Sequence, residues 1–187
     1  MNKLKKIAIT GLTALLAGCA TLTPLNRAEF DNKHALSQSS VPAETERVLV
    51  IWPGLNARKS EIEGMKKEYE KKGYSPISID IPVQVYTPEE LSDKVDKELD
   101  RMNLSDKKVY HLAFSAGGYP LFTYLANHQP EIEKCVFICC PLDGSSLADY
   151  YKRTEGKKYV SVFGEFGDRL LTTGEKSFRF LYRNTLG

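Results

Sequence analysis

From Arg47 onward the chain alternates continuous apolar runs with amphipathic stretches, and few folds accept that order. Arg47-Val-Leu-Val-Ile-Trp-Pro53 is a β-branched run ending in a turn, the pattern of a strand buried on both faces. Ser60-Glu-Ile-Glu63 is a capping-box sequence that opens a helix. Ile62, Met65 and Tyr69 then share one helical face, and Gly73 ends it. Ser75 to Ile81 reads as a second strand. Thr87-Pro88-Glu89-Glu90 is another capping box, with proline in the first turn, where its missing N–H costs nothing. Leu91, Val95 and Leu99 continue that stripe. Lys108 to Phe114 is a third strand, running through Ser115 into a helix that reaches about Asn127. Lys134 to Cys140 and about Lys158 to Phe163 are a fourth and fifth, and Ser177 to Arg183 is a candidate sixth. This order predicts an α/β fold, a three-layer α/β/α sandwich around a mainly parallel, doubly wound sheet. In such sheets ligands sit at the carboxyl ends of the strands, so the turns that follow strands should carry the chemistry.

The segment before Arg47 reads differently. Lys3, Lys5 and Lys6 precede the apolar stretch from Ile7 to Ala17, which is too short to span a bilayer and is followed by small residues. That is the pattern of a secretory signal peptide. Its terminal tetrad, Leu16-Ala17-Gly18-Cys19, resembles the lipobox of bacterial lipoproteins. The resemblance implies cleavage before Cys19, lipid on Cys19, and an N-terminal lipid anchor in the bacterial cell envelope. Ala20 in place of aspartate favours the outer membrane where the host has one. Residues 20 to 45 lack a helical or strand period and carry proline and polar clusters. Residues 19–45 therefore read as a lipid-anchored linker, with His34 as a solvated linker residue, and 46–187 as the folded domain.

This division changes the meaning of the charge. The whole chain has 26 basic and 24 acidic residues, a net +2. Residues 1–18 hold three lysines and no acid, so the remainder has 23 basic and 24 acidic residues, a net −1. The basic excess belongs to the targeting segment and gives no reason to expect a nucleic-acid partner. Cys135, Cys139 and Cys140 all fall in one apolar strand. Residues four apart on a strand are about 13 Å from each other, beyond disulfide reach. They are expected to pack as small apolar side chains, with no metal or cofactor site.

The third strand ends in His111-Leu-Ala-Phe-Ser-Ala-Gly-Gly118, with small residues two before and two after Ser115. A serine here can simply cap the next helix. The pattern small-x-Ser-x-Gly also resembles the nucleophile elbow of the α/β-hydrolase family, with Ala113 in place of the first glycine. Trp52-Pro-Gly-Leu-Asn56, directly after the first strand, resembles the family's His-Gly-x oxyanion turn with Pro53 in place of histidine. Cys140-Pro-Leu-Asp-Gly-Ser-Ser146 loosely resembles a loop of family lipases and esterases. The resemblance covers about Arg47 to Asp168. It implies a serine hydrolase of esterase or lipase type, acting on a small acyl ester or lipid without metal or cofactor. Ser115 would be the nucleophile, and the N–H groups of Leu55 and Ala116 the oxyanion hole. Asp168 would be the acid, with Asp143 the alternate and Glu165 a weaker choice. A plain Gly-rich turn accounts for either aspartate as well.

The family order places the catalytic histidine last. No histidine lies beyond His128, which is thirteen residues and about 20 Å of helix from Ser115. His111 lies on the strand leading to the turn. Three readings stay open: a chain cut short of its histidine, a fold kept as a noncatalytic binding module, or an unrecognised base. The 142 residues from Glu46 to Gly187 suffice for one core but are short for a complete domain of this family. A nucleotide-binding fold is disfavoured, because Pro-Gly-Leu-Asn after the first strand lacks the three-glycine fingerprint.

Overall fold

The computed structural model describes residues 27–142 other than residue 56. Four strands form one parallel sheet: β1 (Arg47–Trp52), β2 (Ser75–Ser78), β3 (Lys108–Phe114) and β4 (Lys134–Ile138). Their spatial order is β2-β1-β3-β4. Three helices connect them: α1 (Lys59–Glu70), α2 (Pro88–Arg101) and α3 (Gly118–His128).

The alternation of each strand divides the core into two faces. Leu49, Ile51 and Leu112 pack on one face against Met65 and Tyr69 of α1. Val48, Val50, Trp52, Ile77 and Ala113 pack on the other against Leu91, Val95 and Leu99 of α2 and Leu121 and Tyr124 of α3. Helices thus cover both faces, as the pattern predicts. β1, central in the described sheet, is buried from Val48 to Trp52.

Helix ends follow local chemistry. Thr87 caps α2: its Oγ1 accepts from Glu90 N (3.2 Å), and Glu90 Oε2 accepts from Thr87 N (3.0 Å). α1 starts two residues earlier than Ser60 suggests. Arg58 is its cap residue, and Glu61 Oε2 accepts from Arg58 N at 3.2 Å. Gly73, at φ 78°, turns the chain toward β2.

Three expectations change. First, the chain before Arg47 is not all free tether. Ala35 and Leu36 are buried in the core. Leu36 bridges Ile79 in antiparallel fashion, and Asp80 N donates to Ala35 O at 2.8 Å. The Glu98 carboxylate, also buried, accepts from Ala35 N (2.8 Å) and Leu36 N (2.9 Å). Two apolar residues and two backbone donors are too few to leave a period, yet enough to dock the segment. His34 is exposed, as expected, with Nδ1 3.8 Å from Glu98 Oε1. Second, β2 ends at Ser78, and Ile79, whose N–H still donates to Ile51 O at 3.0 Å, bridges Leu36 on its other side. Third, β4 ends at Ile138 and is only half-buried, with Val136 and Ile138 exposed. Cys135 and Cys140 pack as small side chains, whereas Cys139 is exposed at φ 51°.

The fifth and sixth strands, Cys19, Asp143, Glu165 and Asp168 lie outside the described residues. Among the described residues no helix is long and apolar enough to cross a membrane.

Candidate active site

β1 and β3 are parallel neighbours with Trp52 opposite Ala113, so their carboxyl ends are level. The turns that follow them therefore meet. β3 passes at Ser115 into a single 3-10 turn, Ser115–Gly117, and then into α3. Ser115 has φ 47°, a left-handed conformation that costs a residue with a Cβ about 1–3 kcal/mol. The packing around the turn imposes that conformation and sets the serine on a sharp corner, where it is exposed while Ala116 and Gly117 beside it are buried. That is the strand-to-helix elbow the sequence pattern predicts.

Two glycines make the close approach possible. A Cβ on Gly117 would collide with the carbonyl oxygens of Trp52 and Pro53, so the turn after β1 lies directly against the elbow. A Cβ on Gly54 would lie 3.1 Å from Ser115 Cβ, 3.3 Å from Phe114 O and 3.7 Å from Ser115 Oγ. The Pro-Gly turn therefore brings bare backbone to the serine. Leu55 comes next in that turn, and Ala116 next to Ser115 in the other. As the second residue of its turn, Ala116 has an N–H with no acceptor inside the helix. It lies at the N-terminal, positive end of the α3 dipole. Cys140 supports the elbow from behind, with Sγ 3.6 Å from Ala113 O and in contact with Gly118.

No histidine among the described residues interacts with Ser115, and all three of the chain's histidines are described. His34 lies beside Glu98 of α2. His128, at the far end of α3, has Nε2 3.0 Å from Asp93 Oδ1 and Nδ1 3.1 Å from Asp96 Oδ2. His111 is buried under α3, with Nδ1 accepting from Trp52 Nε1 at 3.0 Å. Burial pushes its pKa down to about 3, so it stays neutral. His111, on the strand that leads to the turn, thus lies in the core. Its bond to Trp52 had no sequence signal, because the two residues belong to different strands.

No protein-family model and no curated protein matches this chain. Solved structures do. The lipase BlEst2 of Bacillus licheniformis in its mature form superposes with a TM-score of 0.56 at 24% identity, over 77% of this chain and 62% of that one. Its propeptide form gives 0.57 at 24% identity, over 77% of this chain and 34% of that one. A structure from a study of carboxylesterases of the thaumarchaeon Nitrososphaera gargenis gives 0.51 at 16% identity, over 67% of this chain and 47% of that one. The chain thus spans less than two thirds of the length of these proteins. With the parallel sheet, the likeness shows that the chain has the α/β-hydrolase fold, the fold of these lipases and carboxylesterases. The α/β fold expected from the alternation of strands and helices, and its likeness to the α/β-hydrolase fold, are borne out.

Proposed function

We propose that this chain is a serine hydrolase acting on carboxylic esters or lipids, with Ser115 as nucleophile. The observation that carries the reading is the contact of Gly54 with Ser115, which puts two backbone turns around a strained, exposed hydroxyl. In the reaction Ser115 Oγ attacks the acyl carbon and its proton passes to a base. The alcohol leaves, and water then releases the acyl group from the serine. The N–H groups of Leu55 and Ala116 hold the oxyanion of each tetrahedral intermediate, a contribution of about 10²–10³-fold in rate per donor in comparable sites. Asp168 orients the base, with Asp143 as the alternate acid. This chemistry requires no metal or cofactor. Lipid on Cys19 tethers the domain to a bacterial envelope membrane, with the outer membrane favoured by Ala20.

A second reading is a noncatalytic lipoprotein that uses the fold as a binding module. The positions of the three histidines favour it, since each is engaged away from Ser115. One experiment separates the two readings. Saturable turnover of p-nitrophenyl butyrate by the folded protein, lost in Ser115→Ala, is the outcome for the hydrolase. A folded protein with no turnover above the Ser115→Ala background is the outcome for the module.

A further inference from the structure

α2 follows β2 and α3 follows β3, so both helices begin at the carboxyl edge of the sheet and run back toward its amino edge. They pack on the same face, and His128 at the end of α3 sets their relative height through Asp93 and Asp96 of α2. From His128 back to Gly118 is about 15 Å of helix, and from Asp96 or Asp93 back to Pro88 about 8–12 Å. The first turn of α2 therefore lies within about 8 Å in height of the start of α3, which follows directly on Ser115.

The segment before Arg47 is laid from this edge to the other. It enters at a 3-10 turn, Arg27–Glu29. Arg27 Nη1 and Nη2 donate to the two carboxylate oxygens of Glu90, in the first turn of α2, at 3.2 and 2.8 Å. Tyr86 Oη donates to Asp31 Oδ1 and Lys94 Nζ to Asp31 O, each at 3.2 Å. After the buried bonds of Ala35 and Leu36 to Glu98, Ser37 N donates to Ser78 O at 2.8 Å. Farther on, Lys107 Nζ donates to Ala43 O (2.7 Å) and Lys108 N to Glu46 O (2.9 Å), at the amino start of β3. Exposed ion pairs alone would hold such a segment weakly, but the buried Glu98 bonds anchor its middle. Arg27, where the chain arrives from Cys19, thus stands at the edge that carries Ser115.

This placement shortens the tether. Running to Arg47 it would span 28 Cα steps from Cys19, a reach of about 100 Å. Stopping at Arg27 it spans eight, a reach of at most about 29 Å. A compact domain of 142 residues is about 35–40 Å across. With Cys19 held at a membrane, the amino edge cannot be turned onto the bilayer unless the segment leaves α2, whereas the Ser115 edge can meet it. Leu55 and Tyr119, half-buried around Ala116, give that edge an apolar lip.

We propose that the docked segment holds the anchored protein with its Ser115 edge toward the bilayer, so that Ser115 acts on acyl esters of lipids in that same bilayer. This rests on lipid at Cys19 and on hydrolysis at Ser115, and adds to them a direction and a source of substrate. The serine takes the acyl group, the remaining lipid leaves as an alcohol with the serine's proton, and water then releases the fatty acid.

The test uses the full-length lipoprotein in vesicles of phosphatidylethanolamine and phosphatidylglycerol, with lipid on Cys19 first verified by mass spectrometry. A donor dye is coupled through p-azidophenylalanine at one of two exposed sites, Ala57 beside the turn after β1 or Ser105 before the amino start of β3. Energy transfer to an acceptor on the lipid headgroups should be stronger from position 57 than from position 105. A Gly-Ser insert of about 20 residues after Thr23 should remove the difference. The same insert should slow hydrolysis of a fluorogenic phospholipid in those vesicles about sixfold, the fall in effective concentration for a tether lengthened from eight steps to about 28. Turnover of dissolved p-nitrophenyl butyrate should not change. Equal transfer from the two sites, or stronger transfer from position 105, would overturn the orientation. Turnover of the butyrate without turnover of the phospholipid would overturn the source of substrate. Stronger transfer from position 57 with neither ester hydrolysed would support the orientation and overturn the hydrolase reading, and a Cys19 without lipid would overturn the anchor.

Discussion

Gly54 and Ser115 are in contact across two turns that lie 61 residues apart in sequence, with only 3.1 Å between Ser115 Cβ and the place a Gly54 side chain would start. The contact exists because β1 and β3 are adjacent and parallel, so both chains leave the sheet at the same edge. Under the proposed function, the Leu55 and Ala116 N–H groups of these two turns are the ones assigned to the oxyanion, the stabilisation that acyl chemistry at a serine needs.

Gly117→Ala tests the packing beneath that contact. The added methyl meets the main-chain oxygens of Trp52 and Pro53, which cannot rotate away as a side chain would. The expected outcome is a loss of about 1–3 kcal/mol in urea unfolding, the usual cost of overpacking. Wild-type stability in the variant would show that the two turns are not in contact.

Glu98→Ala tests the docking of the segment before Arg47. It removes the acceptor for Ala35 N and Leu36 N, leaving two buried donors. The expected destabilisation is about 2–3 kcal/mol, with faster proteolysis between residues 27 and 46. Glu98→Gln retains one carbonyl acceptor and should lose less. Equal, negligible effects in both variants would mean that the segment is a free tether.

Thr87→Ala removes the hydroxyl that accepts from Glu90 N at the start of α2. The variant should lose about 1 kcal/mol, while Thr87→Ser should stay near wild type. Thermal denaturation of the pair gives the comparison, and indistinguishable variants would count against the cap.

His111 should make the fold sensitive to mild acid. Its ordinary pKa of 6.5 is lowered to about 3 by burial, so from pH 6.5 downward the unfolded chain binds a proton that the folded one refuses. This contribution is fully present above pH 6.5 and falls by about 1.4 kcal/mol per pH unit as the pH drops toward 3. Urea unfolding at pH 7.0, 6.0 and 5.0 should show the decline, with the His111 ring resonances of the folded protein unchanged over the same range. Titration of that ring near pH 6 would contradict its burial.

Where one residue's chemistry decides the structure, the sequence was readable. β3 runs from Lys108 to Phe114 as its apolar run indicates, and the Thr87–Glu90 box opens α2 as written. The elbow was legible because a sharp turn needs small neighbours, and Ala113 and Gly117 provide them. What pairs distant residues was not. Glu98 sits in a stripe of charged helix residues, and nothing local marks it as the one that turns inward to Ala35 and Leu36. Arg58 rather than Ser60 caps α1, because Glu61 reaches back to it, a choice that the neighbouring Glu63 obscures. Cys139 was read as part of a buried strand, but the chain turns at φ 51° there and exposes it.

The most direct measurement is reaction with a fluorophosphonate probe, located by mass spectrometry of the digested, natively folded protein. The account predicts one adduct, on the peptide containing Ser115, abolished in Ser115→Ala and blocked by prior unfolding. A folded wild-type protein that takes up no probe at Ser115, or takes it up equally at other serines, would contradict it.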